Sequence, residues 1–266
     1  YNIPLWLINL WISEFGRDKT EDLCSWFNEQ PKLTARINTI LIDIPQCLTM
    51  LNEQGWAVTQ DSNYEDIIYI NSHRGSLEKS EAFIKGYITF MDKASMLVAR
   101  LVNPQPGERI LDCCAAPGGK SMYMATLMDN VGSLMSCDIH EHKIELMNSN
   151  AERLGASIVH TKVQDATKLP DSWNSYFDRV LVDAPCSGLG ILQKKLDMRW
   201  RKQESILSEL PSLQLAILER AAMTVKEKGY LIYSTCTLNY KENEEVVEAF
   251  LQKHKEFSII PVADDF

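Results

Sequence analysis

Residues 109–120 read RILDCCAAPGGK, from Arg109 to Lys120. Arg109 to Cys113 is a short, largely apolar run of the kind that lies buried in a parallel sheet. Pro117-Gly118-Gly119 cannot extend that strand, and the glycines let the backbone approach a ligand closely. From Lys120 to about Met128 the apolar spacing turns helical. The first free N–H groups of that helix then point at whatever the loop holds. Strand, glycine loop and helix together open a doubly wound α/β sheet, which binds its ligand beyond the carboxyl ends of the strands.

The same rhythm continues downstream. Strands are predicted at 133–137, 158–163, 178–182 and 230–233. Helices are predicted at 141–154, at 203–227 with Pro211 inside it, and after Asn239, where Asn239 and Glu242 make a capping-box-like start. Such alternation predicts a mainly parallel sheet with helices on both faces. Upstream, Asn103 to Gly107 is turn material and marks a domain boundary. Residues 1–102 then form a small α+β domain, and residues 103–266 the Rossmann-like domain. The smaller block carries helical spacing at 4–15, 20–29, 45–54 and 92–101, with strands at 33–37, 67–70 and 87–90.

The 266 residues are 45% hydrophobic and 24% charged, which suits a globular chain with a sizeable core. The longest apolar run, Ile3 to Ile12, is broken by Asn9 and is shorter than the roughly 18 residues of a membrane span. A net charge of −9 argues against a protein that coats nucleic acid with its whole surface. Seven cysteines, an odd number with Cys113 and Cys114 adjacent, do not read as a disulfide framework, so a reducing cytoplasm is expected. The chain begins at Tyr1 rather than Met and reads as a fragment.

Four carboxylates fall at predicted strand ends: Asp112, Asp138, Asp165 and Asp183. An acid closing the second strand accepts hydrogen bonds from ribose hydroxyls, and Asp165 suits an adenine amino group. With the Cys114-Ala115-Ala116-Pro117-Gly118-Gly119-Lys120 loop, these needs describe an adenosine-bearing cofactor without pyrophosphate, met by S-adenosylmethionine. A nicotinamide dinucleotide is the rival, but this turn lacks the G-x-G-x-x-G spacing. His140 and His142 have no third ligand at suitable spacing, so no metal is expected.

Two thiols stand at the same rim, Cys186 in Asp183-Ala-Pro-Cys186-Ser-Gly188 and Cys236 in Ser234-Thr-Cys236. Cys24, Cys47, Cys113, Cys114 and Cys137 read as small buried hydrophobes. A thiolate that adds to carbon 6 of a pyrimidine makes carbon 5 able to accept a methyl group. A base must then remove the carbon 5 proton, and an acid near ring N3 must hold the base, as Asp183 would. Spacing alone leaves open which thiol attacks.

CAAPGGK (Cys114 to Lys120), DAPCSG (Asp183 to Gly188) and STC (Ser234 to Cys236), in this order, resemble the RNA 5-methylcytosine methyltransferases, nearest to the bacterial small-subunit 16S rRNA enzymes of the RsmB/Sun/Fmu type. Ile3 to Leu7, Arg36 to Asn38 and Asp92 to Ser95 extend the likeness over nearly the whole chain. The resemblance implies a class I S-adenosylmethionine-dependent fold. It implies a cofactor site of residues Cys114 to Lys120 with Asp138, Asp165 and Asp183, Cys236 as the nucleophile, and Cys186 as an aid to proton removal or product release. It implies RNA as partner, with transfer RNA as the alternative to ribosomal RNA. A catalytically idle RNA-binding or ribosome-assembly factor is the rival from another class, and both thiols argue against it. The family's R-x-x-P-D-x-x-W stretch here reads Gln193, Leu196, Asp197 and Trp200. A NusB-like domain before this chain and a closing strand after Phe266 are expected to lie outside the sequence.

RNA readers grip backbone with cations and stack exposed bases on aromatic rings. Lys194, Lys195, Arg199, Arg201 and Lys202 are therefore the candidate RNA contacts, with Trp200 expected in the core.

Overall fold

A first group of helices begins where apolar residues crowd the chain. Helices α1 (Leu5–Phe15) and α2 (Arg17–Trp26) are separated by Gly16, whose φ of 81° breaks the helical path. Trp11 and Phe27 stack with ring centroids 5.2 Å apart. The computed structural model describes residues 2–262. By contact the described residues form two units: one gathers Asn2–Pro31 with Ala184–Glu219 and Tyr233–Ile260, the other Lys32–Asp183 and Arg220–Ile232 with Pro261 and Val262.

The second unit holds two sheets. Strands β1 (Thr34–Ile37), β2 (Ala57–Gln60), β3 (Ile67–Ser72) and β4 (Ile88–Phe90) form an antiparallel sheet in the order β2-β3-β1-β4. Helix α3 (Ile44–Glu53) starts at Asp43, whose side chain accepts the Gln46 N–H at 2.8 Å, and Pro45 occupies its first turn. A short helix α4 (Glu81–Ile84) precedes β4. Strand β2 and α4 are absent from the sequence-based expectation. The strand is an edge strand with mostly exposed residues, so it carries no apolar alternation.

The larger sheet follows α5 (Lys93–Leu101). Strands β5 (Arg109–Asp112), β6 (Ser133–Asp138), β7 (Val159–Val163), β8 (Phe177–Asp183) and β9 (Val225–Ser234) are ordered β7-β6-β5-β8-β9. The β5–β6, β5–β8 and β6–β7 pairings are parallel. Helices α6 (Gly119–Leu127) and α7 (Glu141–Arg153) make the crossovers. The predicted helix at 203–227 ends instead at Ala222. Thr224 bonds back to Ala221, and its carbonyl accepts from Tyr176 and Phe177, which draws the chain into β9.

A polar seam fastens the small sheet to α6 and the end of α7, which pack on the large one. Arg36 is fully buried on β1, donates to Thr126 Oγ1 at 3.1 Å and lies 5.1 Å from the Tyr123 ring centroid. Burial lowers its pKa to about 10. Asn38 donates to the carbonyls of Gly86 and Leu154, both at 2.9 Å.

The first unit is completed by α8 (Met198–Arg201), α9 (Ile206–Ala222, through Glu219) and α10 (Glu244–Lys253). Its core joins Leu7, Trp11 and Phe27 to Leu189, Leu192 and Leu207.

Candidate active site

In the strand order β7-β6-β5-β8-β9, the direction of winding reverses between β5 and β8, and the crevice for a ligand lies at that switch point. The expected residues stand around it. Gly118 has φ +97° at the start of α6, and a Cβ there would lie 3.1 Å from Met147 Cγ, so glycine keeps the loop open. Lys120 Nζ donates to Asp183 Oδ2 at 2.7 Å, which ties the α6 side of the switch point to the tip of β8.

Asp138 closes β6, and its Oδ1 accepts the His140 N–H at 2.9 Å. Asp165 follows β7, and its Oδ1 accepts from Thr167 N and Oγ1 at 2.9 and 2.7 Å. The Thr167 hydroxyl and amide hold the Asp165 carboxyl below its ordinary range. Asp112 is buried beneath the loop. Its Oδ2 accepts the Ser121 hydroxyl at 2.6 Å, while Oδ1 is a buried oxygen with no protein partner. A glycine cradle, a helix N-terminus and acids on successive strand ends fit an adenosine-bearing cofactor. Among the described residues no group of three or more His, Cys, Asp or Glu is placed to hold a metal, and no helix is long and apolar enough to cross a membrane.

Burial first, and the Asp183 charge second among the raising effects, push the Asp112 carboxyl up to about 7. Its folded pKa therefore lies above its unfolded value. The extra proton stabilises the fold fully below about pH 4, and that contribution is lost as the pH rises through about 7. In the cofactor-free protein, Asp112→Asn should flatten the dependence of Tm on pH across this window. An unchanged slope would mean that Asp112 does not titrate there.

The thiols meet within the first unit. Cys186 Sγ lies 3.0 Å from Cys236 Sγ and accepts the Cys236 backbone N–H at 3.2 Å. Gly190 N–H donates to the Cys236 carbonyl at 2.9 Å. A Cβ at position 190 would sit 2.8 Å from that oxygen, so the two loops approach this closely only with glycine there. Ser187 Oγ and Thr237 Oγ1 share a hydrogen bond of 2.7 Å. Cys186 is half-buried and Cys236 exposed. The hydrogen bond with Cys236, then burial, drive the Cys186 pKa well above that of an ordinary thiol, so Cys186 keeps its proton at neutral pH. Cys24, Cys47, Cys113 and Cys137 are buried and Cys114 is half-buried, and burial raises all five.

The basic stretch divides. Lys194, Lys195 and Arg201 are exposed and Lys202 half-exposed. Arg199, expected among the RNA contacts, is instead 2% exposed and structural. Its guanidinium donates to the carbonyls of Leu192 and Phe27 and to Asn28 Oδ1. Trp200, expected in the core, is 62% exposed. Gln193, where the resemblance calls for arginine, donates to the Trp26 carbonyl at 2.9 Å. Gln214 carries no signal in the sequence and Glu242 reads there only as a cap, whereas both are buried beside the thiol loops. The placement of Glu242 three residues after Asn239 was the one signal available.

A glycine loop after the first strand of a doubly wound sheet, with acids ending the next strands, is the class I methyltransferase fold. The chain belongs to the 16S rRNA methyltransferase RsmB/F family, whose model matches residues 99–265. A second model, the RsmF/B-like ferredoxin-like domain, matches residues 3–75. The probable ribosomal RNA small subunit methyltransferase B of Bacillus subtilis (strain 168) is 40% identical over 255 residues, 96% of this chain and 57% of its own. The corresponding protein of Synechocystis is 37% identical, covering 98% of this chain and 59% of its own. This chain thus spans under three-fifths of those curated relatives. The crystal structure of PH0851 superposes with a TM-score of 0.94 at 33% identity, over 99% of this chain and 60% of that one. The fold is also that of NSun6 from Pyrococcus horikoshii, solved with SFG, at a TM-score of 0.86 and 22% identity over 94% of this chain and 87% of that one.

Proposed function

We propose that this chain methylates carbon 5 of a cytosine in 16S rRNA through a covalent adduct between Cys236 and carbon 6. The observation that carries the reading is the 3.0 Å separation of two thiols drawn from strand tips 50 residues apart in sequence. Two sulfurs serve one pyrimidine only if both reach it. The exposed Cys236 gives its thiol proton to solvent and adds to carbon 6 as the thiolate, and the electron pair displaced from the carbon 5–carbon 6 bond is held toward N3, where Asp183 acts. S-adenosylmethionine, held by Cys114 to Lys120 with Asp138, Asp165 and Asp183, supplies an electrophilic methyl group when bound. Solvent water then takes the carbon 5 proton as base, and the electron pair of that bond re-forms the carbon 5–carbon 6 double bond and expels Cys236 as the thiolate. Cys186, which keeps its own proton, assists this release. Lys120 orients Asp183 through their ion pair.

Residues 1–102 seat the RNA and residues 103–266 carry the chemistry, in a cytoplasmic protein. Incubation with small-subunit rRNA and S-adenosylmethionine, followed by bisulfite sequencing, should reveal one new protected cytosine. Methylation at a ring nitrogen or a ribose would remove the proposal, and a protected cytosine in transfer RNA alone would change the substrate.

Lys194, Lys195, Arg201 and Lys202, with Trp200 among them, form the RNA-gripping surface. Lys195→Ala with Arg201→Ala should weaken RNA binding uniformly and reduce the salt slope of log K by about 2. Arg199→Ala should instead lower stability by about 3 kcal/mol, because it removes the donor that the buried carbonyls of Leu192 and Phe27 share, and leave the slope unchanged. An equal slope change in both variants would contradict this division.

A further inference from the structure

Glu242 lies at 0% exposure, three residues into the turn that follows Asn239. Its Oε2 accepts the Ser187 backbone N–H at 2.8 Å and Gln214 Nε2 at 2.9 Å, and its Oε1 accepts Asn239 Nδ2 at 2.9 Å. Its backbone carbonyl accepts the Tyr233 hydroxyl at 2.7 Å. Gln214 Nε2 also donates to the Pro185 carbonyl at 2.9 Å.

These contacts have a pattern. Pro185 and Ser187 flank Cys186 on either side, and Tyr233 and Asn239 stand three residues before and after Cys236. One residue, aided by Gln214, thus grips both flanks of both thiols. The chemistry of the clasp is specific. Ser187 N–H, Gln214 and Asn239 all present donors, and only an acceptor-only side chain satisfies three of them at once. A buried carboxylate is costly to desolvate and is tolerated when such donors surround it. Gln214, Thr237 and Asn239 are buried in the same unit, and a neutral residue would fill the space at lower desolvation cost if filling were all that was needed.

We infer that Glu242 is a positioning residue: it sets the distance between the Cys186 and Cys236 sulfurs, and through it the reaction of both with one base. The second half of that inference rests on the function proposed above, and the first half does not.

The test reads thiol geometry without any methyl transfer. The full chain is equilibrated with oxidised and reduced glutathione. Two protein thiols give two electrons and two protons, one disulfide forms between Cys186 and Cys236, and one oxidised glutathione becomes two reduced. Peptide mapping by mass spectrometry gives the equilibrium constant. Glu242→Gln sets an amide N–H₂ against one of the three donors and should lower that constant about tenfold or more. Asn239→Asp added to Glu242→Gln turns the mismatched pair into an amide facing a carboxylate and should restore it. In parallel, covalent trapping on RNA containing 5-fluorocytidine should slow with Glu242→Gln, recover in the double variant, and leave S-adenosylhomocysteine affinity unchanged.

A folded Glu242→Gln protein with the wild-type redox constant overturns the inference, even if trapping proceeds. A shifted constant in a protein that never traps RNA upholds the clasp and overturns the cytosine chemistry alone. If Glu242→Gln does not fold, Gln214→Ala removes the donors to Pro185 and Glu242, and the same redox comparison decides.

Discussion

Cys236→Ala is expected to abolish methyl transfer, by at least about 10³-fold in kcat, while S-adenosylhomocysteine binds as before. The side chain is exposed, so its truncation opens no cavity in the core and Tm should stay unchanged. The loss then reports chemistry rather than unfolding. Its cause is that carbon 5 of cytosine is a poor nucleophile until a sulfur adds at carbon 6, and no other side chain of the chain is proposed to supply that sulfur. Single-turnover assays with labelled S-adenosylmethionine would measure the rate directly. Methyl transfer at the wild-type rate would reject Cys236 as the attacking group.

Cys186→Ala is expected to have the opposite signature, a stable protein–RNA adduct. In the wild type the Cys186 thiol sits 3.0 Å from the attacking sulfur and holds its proton, through its hydrogen bond with Cys236 and its burial. Without it, addition and methylation proceed but elimination stalls. Denaturing gels should then show a slow-migrating species that needs both RNA and S-adenosylmethionine and disappears with nuclease. The double variant, Cys186→Ala with Cys236→Ala, should show none. An adduct in Cys236→Ala but not in Cys186→Ala would exchange the two roles.

The two variants probe a geometry that sequence spacing left open. DAPCSG and STC each place a thiol just past a strand, but neither motif says how far the sulfurs stand from each other. The two loops are joined where Gly190 meets the Cys236 carbonyl and by the Ser187–Thr237 hydrogen bond, contacts between segments about fifty residues apart. The basic stretch shows the opposite failure. Five cations in ten residues read as one surface, yet Arg199 turns inward, where the buried carbonyls of Phe27 and Leu192 take its donors. Trp200 is displaced outward at the next position. Glu242 was visible only as a capping residue, since its main partners, Ser187 and Gln214, lie 55 and 28 residues away.

What the sequence alone determined is the doubly wound sheet, its glycine loop and the acids at its strand ends. Each of these is written in local sequence: short apolar runs, a Pro-Gly-Gly break, and a carboxylate at or just past the end of four of the five strands. Tertiary structure alone decided that two sulfurs touch, that one arginine of the basic run is structural, and that a buried glutamate clasps both thiol loops. Those outcomes come from pairing donors and acceptors brought together by folding, and a buried polar group takes whichever partner the packed chain presents.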